Sequence, residues 1–292
     1  MDSFTKDRFH GNPAGVIPDA KGLTEEQMQR IARELNNSET AFIFEADSTD
    51  YDVEVRFFAP TTEVPICSHA TIAAHYVRAK EKNLECGTVV QKTKADLLPV
   101  DVVRDENDYS IIMTQGTPAV SAPVGDTVRN RIADALGIAR EEICREYPVA
   151  IAFTGHSKVM VPLYSNELLH GLQPDLQKMT EISKQIECNG YYAFTLNPQK
   201  IILVHGRMFA PAIGIAEDPV TGNANGPLGA YLVHYNILQD ADEPCLDFDI
   251  LQGEAVKRDG TIHVHVEKEH GAPKLVQITG NAVIAFSTEI TI

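Results

Sequence analysis

The chain has 292 residues, of which 43% are hydrophobic and 23% are charged, and its 25 Lys and Arg against 41 Asp and Glu give a formal net charge of −16. This composition predicts a globular protein of one large domain or two smaller ones. The acidic balance, without any long basic run, argues against nucleic acid or an anionic membrane as the main partner.

No apolar stretch reaches the ~18 residues needed to cross a bilayer, and the first residues do not have the form of a signal peptide. Five widely spaced cysteines without a C-x2-C pair are typical of reduced thiols. We therefore expect a cytoplasmic protein without a disulfide framework or structural zinc.

The predicted elements begin with an amphipathic helix. Thr24 is a suitable N-cap with Gln27 three residues later, and Met28, Ile31 and Leu35 share one face. Two further helices, each after a loop, are predicted at residues 71–80 and 226–236. Strands are predicted from apolar patterning at residues 40–44, 52–58, 109–114, 157–163, 261–267 and 282–286.

Two groups of histidines have structural interpretations. Alternation in residues 261–267 places His263 and His265 on one face of a strand, where a solvated face is favoured over a metal pair. His75 does not share a helical face with His69, six residues earlier, and we assign it a structural role.

The chain also contains an internal repeat. Residues 23–44 resemble residues 174–196, and RFFAP (56–60) resembles RMFAP (207–211), both at an offset of 151. Beyond Pro211 the register slips by about four residues. The repeat predicts two pseudosymmetric α+β lobes, each a curved, mostly antiparallel, barrel-like sheet around a central helix, with a ligand site between them. The predicted lobes are residues 1–117, completed by a C-terminal strand at 282–292, and residues 118–281.

Ser38 and Glu39 form the first polar cluster, just before the strand at 40–44. A carboxylate partly removed from water at this position is suited to take and return a proton near neutral pH. The alternative is a surface turn or a helix-capping carboxylate. At the repeat offset Glu39 is replaced by Gly190, so the sequence indicates one acid/base on a duplicated scaffold.

Cys67, Ser68 and His69 form the second cluster, at the start of the helix predicted for residues 71–80. A helix N-terminus favours an anion such as a carboxylate or enolate, and it also activates a thiol. The alternatives are a helix-capping role for His69 and a small buried hydrophobic role for Cys67.

The third cluster, Asp218, Gly222 and Asn223, occupies the equivalent place in the second repeat. Pro219 fixes the turn after Asp218, and the glycine allows the backbone to approach a ligand closely. Turn chemistry of the Asx type is the alternative. Two such helix N-termini would bind a small carboxylate and stabilise developing charge.

With these residues identified, the chain resembles the phenazine-biosynthesis PhzF-like family of the diaminopimelate epimerase-like fold, and most closely its uncharacterised bacterial branch. The resembling stretches are DSFTKDRFHGNPAGVI (2–17), NNSETAFIF (36–44), RFFAPTTEVPICSHATIAAHYV (56–77), GHSKVMVPL (155–163), CNGYYAF (188–194) and AEDPVTGNANGPLGAYLV (216–233).

The resemblance implies two lobes with the active site between them, proton-transfer catalysis without a cofactor, and a homodimer. It places the family's proton-shuttling glutamate on Glu39, its histidine on His69 and its aspartate on Asp218. Ser68 departs from the usual glycine, and Asn223 from a serine that contacts substrate in the phenazine enzymes. The chain also starts a few residues short of the family's usual first strand, so we expect a weakened edge there.

We therefore expect a cofactor-independent isomerase for a small carboxylated metabolite, cyclic or amino-acid-like, with no metal. Glu39 would be the general acid/base, Asp218 and His69 would bind and polarise the substrate, and Ser38 and Cys67 would contact it. Backbone amides near Ser68 and Gly222–Asn223 would hold its carboxylate. The alternatives are an epimerase or racemase that uses Cys67 with Glu39, and a binding protein that kept the cleft without turnover.

Overall fold

A computed structural model describes residues 1–106, 108–197, 202–238 and 243–291 of the chain. It divides into two compact units, Met1–Thr114 with Thr279–Ile292 and Gln115–Ile278. Both mix helices with strands, so the predicted α+β class is confirmed. No helix in the described part of the chain has the length and apolar character that a membrane span requires.

The first unit is built on strands joined through two helices. Most of its strand pairs are antiparallel, whereas β2 with β3 and β4 with β6 are parallel. Its elements are β1 (Asp2–Ser3), β2 (Asn12–Ile17), α1 (Glu25–Leu35), β3 (Glu39–Glu45), β4 (Val53–Phe58), β5 (Glu63–Val64), α2 (Ser68–Lys82), β6 (Gly87–Lys92), β7 (Leu97–Asp105), β8 (Asp108–Thr114) and, near the end of the chain, β18 (Ala282–Val283).

The second unit has the same kinds of connection. Here β11 with β12 and β13 with β15 are parallel, and the neighbouring pairs are antiparallel. Its elements are β9 (Ala119–Pro123), α3 (Asp126–Leu136), β10 (Ala150–Phe153), β11 (Ser157–Pro162), α4 (Asn166–Gly171), α5 (Leu176–Ile186), β12 (Tyr191–Leu196), β13 (Ile202–Ala210), β14 (Ile215–Asp218), α6 (Gly222–His234), β15 (Cys245–Gln252), β16 (Gly260–Glu269) and β17 (Ala272–Gly280). Short 3₁₀ helices span Arg140–Glu142, Pro211–Ile213 and Glu254–Val256.

Helix α1 forms as its sequence predicts. The Thr24 hydroxyl accepts from the Gln27 amide at 3.2 Å, and the Gln27 side chain accepts from the Thr24 amide at 2.9 Å, which completes a capping box. Met28 and Ile31 on its inner face pack against Phe42 of β3. Because a parallel strand pair needs a crossover, α1 joins β2 to β3 across this face of the sheet.

Helices α2 and α6 are buried on nearly all sides. In the first unit α2 packs against β2, β3 and β8, and in the second unit α6 packs against β10, β11 and β16. Each is thus a central element of its own unit. Alternation along β3 directs Ala41 and Ile43 towards α2, while Phe42 faces α1.

Both central helices begin earlier than predicted. Helix α2 begins at Ser68 instead of residue 71, and α6 begins at Gly222 instead of residue 226. Gly222, Gly226 and Pro227 lower the helix propensity of the first turns of α6, so pattern alone did not predict them. Burial of these turns in the unit outweighs that low propensity.

At the predicted strand 282–286, the structure corrects the sequence pattern. Only Ala282–Val283 pairs, with β1, whereas Ile284 and Phe286 are 40% and 70% exposed. An apolar run therefore becomes a strand only where a partner strand is available to bond it. At the other end of the chain, β1 has only two residues.

His263 and His265 share one face of β16, as predicted, and both side chains are partly exposed. Ile262, Val264 and Val266 of β16 are buried, and His263 and His265 between them point to the opposite face. His263 lies 2.9 Å from Asp249, and His265 lies 2.7 Å from Asp247. His75 is also structural, as predicted, because it is 1% exposed and its Nε2 lies 2.8 Å from Gln91 Oε1.

Candidate active site

In the first unit, Ser38 and Glu39 lie where α1 has ended and β3 begins. Asn36 closes α1 in the left-handed region, with φ of 52°, and Glu39 pairs with Ala14 of β2 as the first residue of β3. The rest of β3 runs into the core, while the Glu39 side chain remains 17% exposed. Glu39 is therefore partly removed from water, as the sequence predicted, yet open to a ligand.

Helix α2 brings His69 to this carboxylate. His69 Nε2 lies 3.3 Å from Glu39 Oε2 and 3.1 Å from Ser38 Oγ, and its side chain is 9% exposed. Cys67 Sγ lies 3.4 Å from the other ring nitrogen, His69 Nδ1. The first and second predicted clusters thus form a single group of side chains.

The two ring nitrogens of His69 have different partners. Nε2 forms a hydrogen bond with Ser38 Oγ and lies within ion-pair distance of Glu39 Oε2, whereas Nδ1 contacts the Cys67 sulfur. A neutral imidazole donates from one nitrogen and accepts at the other, so the tautomer sets the direction of these contacts. His69 thus lies between the Cys67 thiol and the Glu39 carboxylate.

Two buried hydroxyls fix the backbone at the start of α2. Ser3 Oγ donates to the His69 carbonyl and Thr71 Oγ1 donates to the Cys67 carbonyl, each at 2.7 Å. Both residues are fully buried. The N-cap of α2 is Cys67, so the helix-capping interpretation of His69 is wrong. Cys67 is buried, as expected of a small hydrophobic residue, and its sulfur also contacts His69.

In the second unit, Asp218 is the last residue of β14, and hydrogen bonds connect it to the start of α6. The Thr221 hydroxyl donates to the Asp218 carboxylate, so Thr221 does not cap the first turn with its side chain. Gln252 Nε2 donates to the Asp218 carbonyl at 2.9 Å and contacts Thr221 Oγ1 at 3.1 Å. Gly222 and Asn223 are the first two residues of α6, so their backbone lies beside this network.

Buried polar residues behind Asp218 complete the network. Gln252 Oε1 accepts from the Thr221 amide at 3.2 Å and from Asn225 Nδ2 at 2.9 Å, and Tyr192 donates to Asn225. Burial raises the pKa of Tyr192 far above its usual value, so its hydroxyl stays protonated as a donor. Sequence analysis missed Gln252 and Tyr192, because neither lies in a loop with a polar pattern.

Lys158 is a further buried group that sequence analysis did not identify. It is 3% exposed in β11, and burial lowers the pKa of its ammonium group to about 8 although the charges of Cys188 and Asp218 oppose that shift. Its Nζ donates to the Ser157 carbonyl at 3.2 Å. A lysine inside the apolar run SKVMVPL is the sequence signal that could have identified it.

Among the described residues, three groups could each bind a metal ion. Each group consists of three residues whose ligand atoms lie within 4.8 Å of one another. The first group, Glu39, Cys67 and His69, is the site described above. The other two lie in the second unit and consist of His170, His205 and Glu254, and of Cys245, Asp247 and His265.

A partly exposed carboxylate beside a buried imidazole, on a mixed α+β scaffold, indicates a candidate acid–base enzyme. Comparison with known families matches residues 1–288 to the family described as phenazine biosynthesis-like protein, PhzC-PhzF. An uncharacterised isomerase of Clostridium acetobutylicum is 53% identical over 100% of this chain and 97% of its own length.

Two further proteins extend the likeness. The crystal structure of a phenazine biosynthesis protein of the PhzF family from Bacillus anthracis has a TM-score of 0.89 at 31% identity and covers 100% of this chain and 97% of its own. The trans-2,3-dihydro-3-hydroxyanthranilate isomerase of Pseudomonas chlororaphis is 28% identical over 97% of this chain and 95% of its own length. The chain belongs to the PhzC-PhzF family, and it is an isomerase.

Proposed function

We propose that the chain moves a proton between two positions of a small carboxylated metabolite, cyclic or amino-acid-like, with Glu39 as the general acid/base. The observation that carries this proposal is the placement of the half-buried Glu39 carboxylate 3.3 Å from His69 Nε2. That contact involves one carboxylate oxygen, and the partly exposed carboxylate can still reach a substrate proton.

The reaction is balanced within the substrate. The Glu39 carboxylate accepts a proton from a carbon, and the electron pair of that C–H bond shifts into the adjacent unsaturated system. The carboxylic acid, whose proton can exchange with solvent water, then delivers a proton to another carbon of that system. Composition and oxidation state are unchanged, so no cofactor is required, and Glu39 ends in its starting form.

The name of one relative supports the class of substrate. The Pseudomonas chlororaphis enzyme is named for an anthranilate derivative, which is a cyclic amino carboxylate. Asn223 stands where the family's phenazine enzymes carry a substrate-contacting serine, so we propose a related carboxylate instead of that compound. Asn223 is partly exposed at the second position of α6, where it can contact a ligand.

The remaining site residues take supporting roles in the proposal. His69 polarises the substrate and orients Glu39, Asp218 binds it, and Ser38 and Cys67 contact it. The positive dipole ends of α2, near Ser68, and of α6, near Gly222–Asn223, favour the substrate carboxylate. The family resemblance adds a homodimer, which sedimentation or light scattering would test.

We also propose that the two units arose by duplication and share a barrel-like form around their central helices. Their strand registers support this, because Thr40 pairs with Phe58 in the first unit and Tyr191 pairs with Phe209 in the second, at the same offset of 151. Arg56 with Glu63 and Arg207 with Glu217 are equivalent ion pairs, each with an Nε–Oε1 distance of 2.8 Å.

A racemase with Cys67 and Glu39 as opposed bases is less compatible with the geometry. Two bases that flank a carbon from opposite faces, each about 3–3.5 Å away, stand about 6–7 Å apart. The Cys67 sulfur and a Glu39 oxygen lie within 4.8 Å of each other. The Cys67 thiol also lies 3.4 Å from His69 Nδ1, so it contacts the histidine instead of facing Glu39 across a substrate carbon.

Proton NMR in D2O tests the proposal with a panel of small amino and hydroxy carboxylic acids. We expect loss of a carbon-bound proton signal with the wild-type chain and with Glu45→Gln, a matched control at the exposed far end of β3. Glu39→Gln should abolish that exchange. Exchange that survives in Glu39→Gln would exclude Glu39 as the acid/base, and ligand line broadening without exchange would favour the binding-protein alternative.

A further inference from the structure

Three side chains of the second unit, remote in sequence, gather around one carboxylate oxygen. His205 Nδ1 lies 2.7 Å from Glu254 Oε2, and His170 Nε2 lies 3.1 Å from the same oxygen. One ligand atom from each residue lies within 4.8 Å of the other two. None of the three has a role in the proposed reaction.

The position of His205 is fixed by the sheet. It lies within β13, where it pairs with Thr195 of β12 on one side and Leu251 of β15 on the other. Its side chain is 12% exposed. Pairing on both sides fixes the His205 backbone, while the imidazole can still adjust by a small rotation.

The position of Glu254 is fixed by a tight turn. Gly253, just before it, has φ of +98°, and a Cβ atom there would lie 2.3 Å from the Arg258 carbonyl oxygen. The Arg258 amide donates back to the Gly253 carbonyl at 3.1 Å, and the Lys257 amide donates to the Glu254 carbonyl at 3.2 Å. The turn therefore admits only glycine at 253 and holds Glu254 in place.

The end of α4 that carries His170 is anchored by Arg207. Its Nη1 donates to the Leu169 carbonyl at 3.0 Å and to the Leu172 carbonyl at 3.2 Å, while its other nitrogens bind Glu217. The His170 side chain itself is 39% exposed. The backbone is thus held while the imidazole can still adjust by rotation.

We propose that His170, His205 and Glu254 bind a divalent transition-metal ion, Zn²⁺ in the first instance, with water at the remaining position. Two imidazoles and one carboxylate are a donor set that suits Zn²⁺, with ligand distances of about 2.0–2.2 Å. Ligands at those distances in tetrahedral geometry stand about 3.3 Å apart, so a small rotation of His170 and His205 accommodates the ion. With neutral imidazoles the cluster carries one negative charge, which attracts a cation.

The ion would act on the turn at residues 253–258, which lies against the loop that follows Asp218. Gln252, which binds Asp218 and Thr221, is two residues before Glu254. A Cβ at Gly253 would also lie 2.9 Å from the Pro219 carbonyl oxygen, so the turn packs against the Asp218 loop. Glu254 is accordingly a positioning residue in this proposal, and the site is independent of whether Glu39 transfers a proton.

Metal binding to the EDTA-treated full-length chain tests the proposal. The other two candidate groups each contain a cysteine, so the Cys67→Ser/Cys245→Ser variant provides a background without thiol ligands at either. In that background we expect one Zn²⁺ per chain by equilibrium dialysis, a rise in Tm on adding Zn²⁺, and a Co²⁺ complex without a thiolate charge-transfer band.

Removing one ligand separates this site from nonspecific binding. His170→Ala and His205→Ala, made separately in the same background, should each weaken Zn²⁺ affinity by about tenfold or more and remove the rise in Tm. His263→Ala, a control at a partly exposed histidine of β16, should leave both unchanged.

His170 is exposed enough that His170→Ala should fold normally, so its circular dichroism spectrum and metal-free Tm serve as the folding check. Absence of Zn²⁺ binding in the double-serine background, or equal affinity after His170→Ala and His205→Ala, would overturn the proposal.

Discussion

The first and second units carry the same order of strand, crossover helix, strand pair and central helix, but of the two equivalent positions Glu39 and Gly190 only the first carries a carboxylate. Glu39 begins β3 with its side chain partly exposed, whereas Gly190 immediately precedes β12. A Cβ atom on Gly190 would lie 2.6 Å from the Phe209 carbonyl oxygen and 2.9 Å from Ala210 Cβ. The second unit therefore has no space for a side chain at the position of the acid.

Equivalent backbone in the two units therefore carries different chemical groups. At the start of α2 the side chains of Cys67 and His69 turn towards a carboxylate. At the start of α6 the Thr221 hydroxyl instead engages Asp218, and a buried glutamine supports both. One unit thus presents a carboxylate beside an imidazole, and the other presents a hydrogen-bonded carboxylate at the start of a helix.

The largest expected effect comes from removing the acid. Glu39→Gln keeps the shape of the side chain but cannot accept a substrate proton, so turnover should fall by about 10²-fold or more once the substrate is identified. Steady-state kinetics measure this loss, and Glu45→Gln serves as the control. Turnover within twofold of wild type would remove Glu39 from the mechanism.

Filling the equivalent position of the second unit should impair folding instead. Gly190→Ala forces a Cβ atom against backbone and should lower the free energy of unfolding by about 1–3 kcal/mol. Urea denaturation measures it. Gly87→Ala is the control, because open space surrounds Gly87. Equal stability of the two variants would contradict the steric account of the missing acid.

His75, the buried base of the first unit, should contribute to the loss of stability at acidic pH. Burial lowers the pKa of His75 to about 4, so below its ordinary value near 6.5 the unfolded chain takes up a proton that the folded chain does not. Stability should fall by about 2 kcal/mol between roughly pH 6 and pH 4.5 on this account.

The variant His75→Gln should flatten that part of the profile of unfolding free energy against pH. An unchanged slope in His75→Gln would assign the acid sensitivity to other groups.

Lys158, the buried base of the second unit, should affect the free energy of unfolding at alkaline pH. The pKa of Lys158 is lowered to about 8, so between pH 8 and its ordinary value of 10.5 the unfolded chain binds more protons. The contribution of Lys158 to stability therefore rises with pH across this window, by about 2 kcal/mol between roughly pH 8.5 and pH 10.

Lys158→Met should remove this rise while retaining an unbranched chain of similar length in the buried position. The comparison of wild type with Lys158→Met at two pH values isolates the effect from other alkaline titrations. A rise of equal size in both proteins would contradict it.

The smallest effect is expected at Cys67. Cys67→Ser retains a donor to His69 Nδ1, so turnover should stay within about tenfold of wild type if the thiol only supports the imidazole. Loss of turnover as large as that of Glu39→Gln would instead favour the racemase alternative. Deuterium incorporation at the reacting carbon provides the measurement.

Local sequence patterns were enough to predict the α+β class, the family and several of the elements. Periodicity and capping residues predicted α1, an apolar run predicted β3, alternation predicted β16, and motif likeness identified the family that the comparisons confirmed. These features are local, because a helix cap or an alternating strand depends on residues a few positions apart.

Which polar side chains lie close together depends on the tertiary structure. Glu39 and His69 are 30 residues apart in the chain, and Gln252 reaches Thr221 from the end of another strand. Burial likewise explains why α6 begins early despite its glycines and proline. Strand pairing ends after Val283 because, among the described residues, no partner strand continues beside the chain. Such contacts depend on strand register and packing, which no local pattern encodes.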